Sequence, residues 1–438
     1  MKRTLIFLCC VFLLTGTALA GDFISGSTGA DGAFNPTQNT ELELPPDGIF
    51  NFTTVNIPYN IKITFKKNQR NTPVYILATG DVTISGTIDV SGTSAVGLAG
   101  GKGGPGGFDG GNGGMPSGPG GQGLGPGGGG FGPAGSYGYG AGGGFGTAGT
   151  GYSDKSIGGG TYLNELLVTM IGGSGGGGAG GVSAGMGGGG GGGGGAILIA
   201  SSGKISINGR IYANGGYPSS GYSYYGGGGS GGSIKLLANR IEGNGNIYAY
   251  GGYYSSIGKG GSGRIRVETY DLARSSGSDP GFSFGYPDKV FYANLPVLKI
   301  ASVAGINTPE SAGGLFSTPD IVFPAGTANP MSVVISAMNV PPGTTVTLSA
   351  TPEFGQPYTT TAVLAGSNES SSASGSVTLS NIYTSVLMVT ATFEVQTASN
   401  KHLLINGEKV ARMKVSTKFG GQSLAWYILE SGKEVPVN

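Results

Sequence analysis

The sequence predicts an all-β chain: a parallel β-helix (solenoid) carrying a glycine-rich insertion, followed by a β-sandwich. Three observations point there. Short stretches alternate aliphatic and polar residues, the strand period of two. Two of these stretches match residue for residue at a constant distance in the chain, as in a repeat architecture. Glycine numbers 94 of 438 residues while charged residues are only 11%, against a usual share near 25%, and the polar remainder is the Ser, Thr and Asn of turns and strands.

The N-terminus reads as a secretory signal. Lys2 and Arg3 precede an apolar run from Leu5 to Leu14, and Ala18-Leu19-Ala20 is an A-x-A cleavage site, so the mature chain is expected to begin at Gly21. The apolar run is too short to span a membrane, and no later segment approaches that length. Cys9 and Cys10 both fall inside the signal. The mature chain is thus expected to have neither disulfides nor cysteine metal sites. The C-terminus, Glu434 to Asn438, has no apolar tail.

Residues 21–96 are assigned to a cap and the first β-helix rungs, and residues 196–272 to further rungs. The stretch Ile76 to Ile88 aligns with Ile199 to Ile211: Gly80 with Gly203, Ile84 with Ile207, Gly86 with Gly209 and Ile88 with Ile211, all 123 residues apart. A third copy runs from Ile234 through Ile241 to Ile247-Tyr248-Ala249-Tyr250-Gly251-Gly252, and Arg264 to Glu268 begins a fourth. One unit cannot bury its aliphatic face alone, whereas stacked units bury it continuously. A β-sandwich with similar hairpins is the alternative.

Residues 97–195 interrupt the repeat, and just over half are glycine. With so little apolar area to offset ordering entropy, the default expectation is a flexible, disordered loop. The other reading is a bundle of extended polyglycine-type helices, whose bare backbones can approach closely and bond laterally. One apolar island, Tyr162 to Ile171, is expected to dock on the core as a strand or short helix. Residues 273–295 read as a linker. From 296 to 400 the composition turns to Val, Thr, Ser and Ala. Strands are expected at Asp320 to Phe323, Met331 to Met338, Thr345 to Ala350, Ser376 to Leu379 and Val386 to Val395, a sandwich pattern. Residues 401–438 form a small C-terminal β segment with the hairpin signal Gly420-Gly421.

The stretches Gly29-Ala30-Asp31-Gly32-Ala33-Phe34-Asn35-Pro36-Thr37, Leu44 to Pro58 and Leu77 to Val82 resemble a module of uncharacterised secreted glycine-rich β-helix proteins of environmental Gram-negative bacteria. Ala301 to Asn438 resembles the C-terminal part of some of them. The resemblance implies a capped β-helix and carries no activity with it. The chain is also distantly similar to two-partner-secretion adhesins, but lacks their asparagine-proline-asparagine motifs.

Little in the sequence suggests catalysis. His402 is the one histidine, beside Lys401, and reads as an edge-strand polar residue. G-x-S-x-G occurs around Ser174, Ser183, Ser230 and Ser283, as chance dictates in so glycine-rich a chain, and no helix is expected after any of them. The rungs carry Asp81, Asp89, Lys204, Arg210, Lys235, Arg240, Glu242, Arg264, Arg266 and Glu268, read as a solvated outer face, with a cross-rung ion pair between Asp81 and Lys204. Gly106 to Gly114, around Asp109, loosely resembles a calcium-binding nonapeptide but occurs once, and calcium needs about six oxygens. No catalytic residue, metal site or cofactor is assigned. The sequons at Asn51 and Asn368 are given no role.

The tyrosines are the candidate binding residues. Tyr217, Tyr222, Tyr224 and Tyr225 lie in one post-repeat loop, and Tyr253 and Tyr254 in the equivalent loop of the next unit. Stacked rungs would bring these loops together as a ridge of rigid, amphipathic rings; rings that merely cap the solenoid edge are the alternative. A formal net charge of +1 offers nothing to nucleic acid. The sequence thus predicts a secreted, non-catalytic structural or adhesive protein of the cell surface or extracellular matrix. Its expected partners are extracellular polysaccharide, cell-surface components or another copy of itself. A polysaccharide-active β-helix enzyme (lyase or hydrolase) and a glycan- or ice-binding module are the alternatives.

Overall fold

The computed structural model describes residues 22–152, 156–291, 295–309, 312–316, 318–394, 404–405, 408–417 and 423–436. The signal segment with Cys9 and Cys10, His402 and the Gly420-Gly421 turn lie outside them. The described chain is all-β, with no helix.

Two parallel sheets share the N-terminal part. The six-stranded sheet runs, edge to edge, Thr40–Glu43, Lys62–Lys66, Thr87–Asp89, Arg210–Tyr212, Asn246–Tyr248 and Ser278–Asp279. The eight-stranded sheet runs Ser283–Gly285, Arg264–Ala273, Ser233–Glu242, Ala196–Ile207, Val74–Ala78 and Ile49–Phe52, with Val55–Ile57 and Val82–Ile84 beside its path. From Val82 onward the chain alternates between the sheets. The 123-residue offset is the hydrogen-bonding register, since Val82 pairs Ile205, Ile84 pairs Ile207 and Ile88 pairs Ile211. Both sheets bury their aliphatics in one core: Ile63, Ile88, Ile211 and Ile247 from one, Ile84, Ile199, Ile207 and Ile234 from the other. The segment read as a linker contributes Ser278–Asp279 and Ser283–Gly285, which continue both sheets.

Residues 97–152 and 156–195 are ordered, and for them the expectation of a disordered loop is overturned. Their amides bond to carbonyls of neighbouring segments at every third residue, the period of an extended three-residue turn. Segment 172–181 shows the pattern. Gly173, Gly176 and Ala179 donate to Gly194, Gly191 and Gly188. Gly175, Gly178 and Gly181 donate to Leu124, Gly121 and Gly118, while Gly177 and Gly180 donate to Ala141 and Gly138. Its carbonyls accept from three further segments through Gly111, Gly129 and Gly227. Six extended neighbours thus surround it. A β-carbon on Gly177 would stand 2.1 Å from the Gly130 carbonyl oxygen, and one on Gly193 would stand 1.9 Å from that of Gly173. Glycine's α-hydrogens therefore face carbonyls, and only glycine admits that approach. The composition argument failed because it counted side-chain area, whereas this unit is held through its backbone.

The bundle is tied down at its base. Legs 187–195, 226–232 and 258–263 run directly into the strands that begin at Ala196, Ser233 and Arg264. The island Tyr162 to Ile171 packs on the outer face of the eight-stranded sheet in turns, as neither strand nor helix. Ser233 Oγ donates to the Ile171 carbonyl at 2.6 Å, Lys235 Nζ to that of Leu166 at 3.2 Å and Arg264 to that of Leu163 at 3.1 Å. Lys235 is 2% exposed, and Glu268, 3.2 Å away, is shared with Arg266. Burial pushes the Lys235 ammonium below the usual lysine range against the opposing pull of Glu268.

The C-terminal part is antiparallel. A five-stranded sheet orders Ile306–Asn307, Val297–Val303, Met331–Met338, Ser371–Val377 and Ala365–Gly366. A seven-stranded sheet orders Tyr358–Val363, Thr345–Pro352, Ser385–Glu394, Glu408–Thr417, Ser423–Leu429 and Glu434–Pro436, with Leu404–Ile405 beside Glu408–Thr417. They share a core that includes Val333, Ile335, Val346, Val389 and Val415, a sandwich-like arrangement. The strands of 408–436 belong to this sheet rather than to a separate segment. Asp320 to Phe323 forms no strand. Both Asp320 carboxylate oxygens accept from the Gly313 and Gly314 amides at 2.7 and 2.8 Å, which holds a loop there, with Ile321 and Phe323 packed on the core. Val386, Leu424 and Trp426 join the cluster over the outer face of the eight-stranded sheet.

Candidate functional site

The glycine legs alternate in direction, as their bonding shows: Gly107, Gly110 and Gly113 donate to Gly104, Gly101 and Leu98, an antiparallel pair. The legs therefore turn alternately at the base and at the far end. The far-end tips are residues 96–98, 115–117, 134–137, the Tyr152–Ser156 bridge, 182–186, 217–225 and 253–257. They touch one another. Ser219 Oγ hydrogen-bonds the Gly97 carbonyl, Ser117 N donates to Val182, Gly135 N to Gly181 and Tyr222 N to Met186.

Large apolar side chains that could not fit between the legs are displaced to these tips. Val96, Met115, Tyr137, Ile157, Met186, Tyr217, Tyr222, Tyr253 and Tyr254 are all exposed, Tyr222 at 70%. The described tip residues include no carboxylate and no arginine. A described cation, Lys259, lies over the Tyr253 ring, 5.6 Å from its centre.

The six tyrosines singled out from the sequence all lie on these tips. Tyr225 stacks on Tyr254 at 4.2 Å between ring centres, and Tyr217 lies against Tyr253 at 6.2 Å. Tyr224 meets Tyr139 edge-on at 4.8 Å. Tyr222 stands apart over Gly185, where a β-carbon would strike it. Sequence reasoning missed Tyr137, Tyr139 and Tyr152, which extend the series through contacts at 5.4 and 5.5 Å. One signal for them was present: Val96, Met115 and Ala134 stand nineteen residues apart, a period of down-and-up legs with tips between. On the six-stranded sheet, Tyr212 stacks on Tyr248 at 5.6 Å, and Tyr248 meets Tyr250. Burial, and then neighbouring Tyr217, push the Tyr250 hydroxyl above the usual tyrosine range.

The carboxylates named from the sequence, and most of the cations, are already paired. Asp81 accepts from the Lys204 amide at 3.1 Å, while the Lys204 ammonium reaches past it to Glu242 at 2.9 Å, so the anticipated Asp81–Lys204 ion pair does not form. Asp89 pairs with Lys62 at 2.7 Å. Hydrogen bonds from Arg240, Lys204 and Ser206 hold the Glu242 carboxyl at about 2. Asp109 is buried and accepts from Lys102 Nζ at 3.1 Å and the Gly103 amide at 2.9 Å. Ser174 and Ser230 are buried as well. Ser174 Oγ accepts from the Gly127 amide and meets the Tyr162 hydroxyl, and Ser230 Oγ accepts from the Ser174 amide. Among the described residues no three His, Cys, Asp or Glu come together to hold a metal ion. A cavity of about 470 Å³ lies in the antiparallel unit, lined by Leu298, Ile300, Phe323, Met331 and Leu379, with Lys299 and the committed Asp320 as charged groups.

Fold and site together define an all-β protein with an aromatic end face. No family model, no curated protein and no solved structure matches the chain.

Proposed function

We propose that this chain is a secreted, non-catalytic adhesive or structural protein whose N-terminal part is a parallel β-helix and whose glycine bundle mounts a contact surface. The observation that carries the reading is the end face: exposed aromatic and aliphatic side chains gathered on adjoining loop tips, with no carboxylate among the described tip residues. Soluble proteins rarely expose a contiguous apolar patch without a partner for it. Alternation of the chain between two parallel sheets around one core supports the β-helix reading. The pairing of each named carboxylate supports a role without catalysis. The partner is a neutral surface: extracellular polysaccharide, a cell-surface component or another copy of the chain. The resemblance to secreted glycine-rich β-helix proteins agrees with this reading but adds no ligand.

Substituting Tyr217, Tyr222, Tyr224, Tyr225, Tyr253 and Tyr254 together by Ser tests it. Binding to purified exopolysaccharide or to whole cells should fall at least ~10-fold, since a few rings dominate interfaces of this kind. Added salt should change binding little, because the described tip residues carry almost no charge. Undiminished binding by the six-fold variant would remove the end face from adhesion. Depolymerisation of a polysaccharide by the unmodified protein would replace the reading with an enzymatic one.

A further inference from the structure

Tyr225 and Tyr254 form the closest aromatic pair among the described residues: ring centres 4.2 Å apart, planes 23° from parallel. A hydrogen bond from one hydroxyl to the other, followed by the electrostatic influence of Tyr254, raises the Tyr225 hydroxyl above the usual tyrosine range. Rings stacked at this distance and angle hold the two phenols within reach of each other. In a tyrosyl radical the ring carbons beside the hydroxyl carry unpaired spin density. The pair ties tip 217–225 to tip 253–257. Apart from Cys9 and Cys10, the chain has no cysteine that could link them.

We infer that Tyr225 and Tyr254 are a site of oxidative dityrosine cross-linking, closed by hydrogen peroxide and a one-electron peroxidase. Each phenol gives up one electron and one proton. The two radicals couple through the carbons beside their hydroxyls, and each of those carbons then gives up its hydrogen as a proton while its oxygen takes one back, which restores both phenols and both aromatic rings. One carbon–carbon bond forms, two carbon–hydrogen bonds break, and the peroxide is reduced to two waters. Other rings approach the pair: Tyr137, Tyr152, Tyr139 and Tyr224 are linked by contacts of 5.5 Å or less and Tyr224 precedes Tyr225, while Tyr217 lies 6.2 Å from Tyr253, which precedes Tyr254. The product is a covalent staple across two loop tips in a chain that otherwise holds them by hydrogen bonds and ring contacts. The inference stands on ring geometry and does not depend on the adhesive reading.

The test treats the dilute, full-length protein with horseradish-type peroxidase and hydrogen peroxide. It follows dityrosine fluorescence, intact mass and the linked peptides after digestion. The expected product is a monomer lighter by two hydrogens, with Tyr225 joined to Tyr254. Tyr225→Phe and Tyr254→Phe, which keep the ring and its packing, should each abolish that linked peptide without lowering the melting temperature. Tyr222→Phe should leave it intact. Coupling that maps to other tyrosines, joins separate copies or survives Tyr225→Phe would overturn the inference, as would the absence of any coupling in the folded protein.

Discussion

At the scale of single residues, glycine acts here through what it lacks. Gly177 sits in the central leg with a carbonyl 2.1 Å from where its β-carbon would be, whereas Gly160 has open space there and no left-handed backbone. Gly177→Ala should therefore cost about 3 kcal/mol or more, since the obstructing atom is backbone and cannot rotate away. Gly160→Ala should be near neutral or slightly stabilising by chain-entropy reduction. Thermal melts of the two variants check this pair, and equal effects would contradict the close packing. Glu242 makes a second residue-scale prediction. Its carboxyl titrates at about 2 in the folded chain against an ordinary 4.5. The stabilisation it confers is thus complete above the ordinary range and is lost as pH falls toward 2. In Glu242→Gln, melting temperature should depend less on pH across that window.

At the scale of elements, the repeated strands were legible and the legs were not. Ile84, Ile88, Ile207 and Ile211 announce themselves because aliphatic alternation is a side-chain signal, and the structure pairs them at the spacing the sequence shows. The legs leave no such trace. Their order comes from amide-to-carbonyl bonds that any sequence can make and that only glycine lets approach this closely. Asp320 to Phe323 misled for the opposite reason: its aliphatics do pack on the core, but Asp320 spends its carboxylate on a loop. The bundle and its island also cover Tyr75, Leu77, Leu198 and Leu237 on the outer face of the eight-stranded sheet. Joining Ser94 to Ala196 through a short linker would strip that cover and leave Lys235 and Glu268 without their lid. Loop-closure entropy favours the shorter chain by only about 0.6 kcal/mol per halving of loop length. The deletion should therefore lose cooperative melting; a sharp transition near that of the full chain would show the bundle to be dispensable.

At the scale of the whole molecule, two parallel sheets give a stiff base, and the glycine legs extend from it. A nine-residue leg such as 187–195 reaches roughly 28 Å at about 3.1 Å per residue. The side chains that such packing expels collect at the far end, so the arrangement that orders the glycines also creates the aromatic face. Of that face the sequence disclosed the tips at 217–225 and 253–257, because they follow recognisable repeated strands. The tips at 115–117, 134–137 and 182–186 were hidden inside a segment that composition marks as loop. Amide hydrogen exchange of the native protein tests the central claim most directly. Peptides covering 172–181 and 187–195 should be protected to nearly the same degree as the strands Ala196–Ile207 and Ser233–Glu242, although they form neither helix nor strand. Exchange of those glycine amides at the rate of an unstructured chain would contradict the ordered bundle, and with it the mount on which the aromatic face depends.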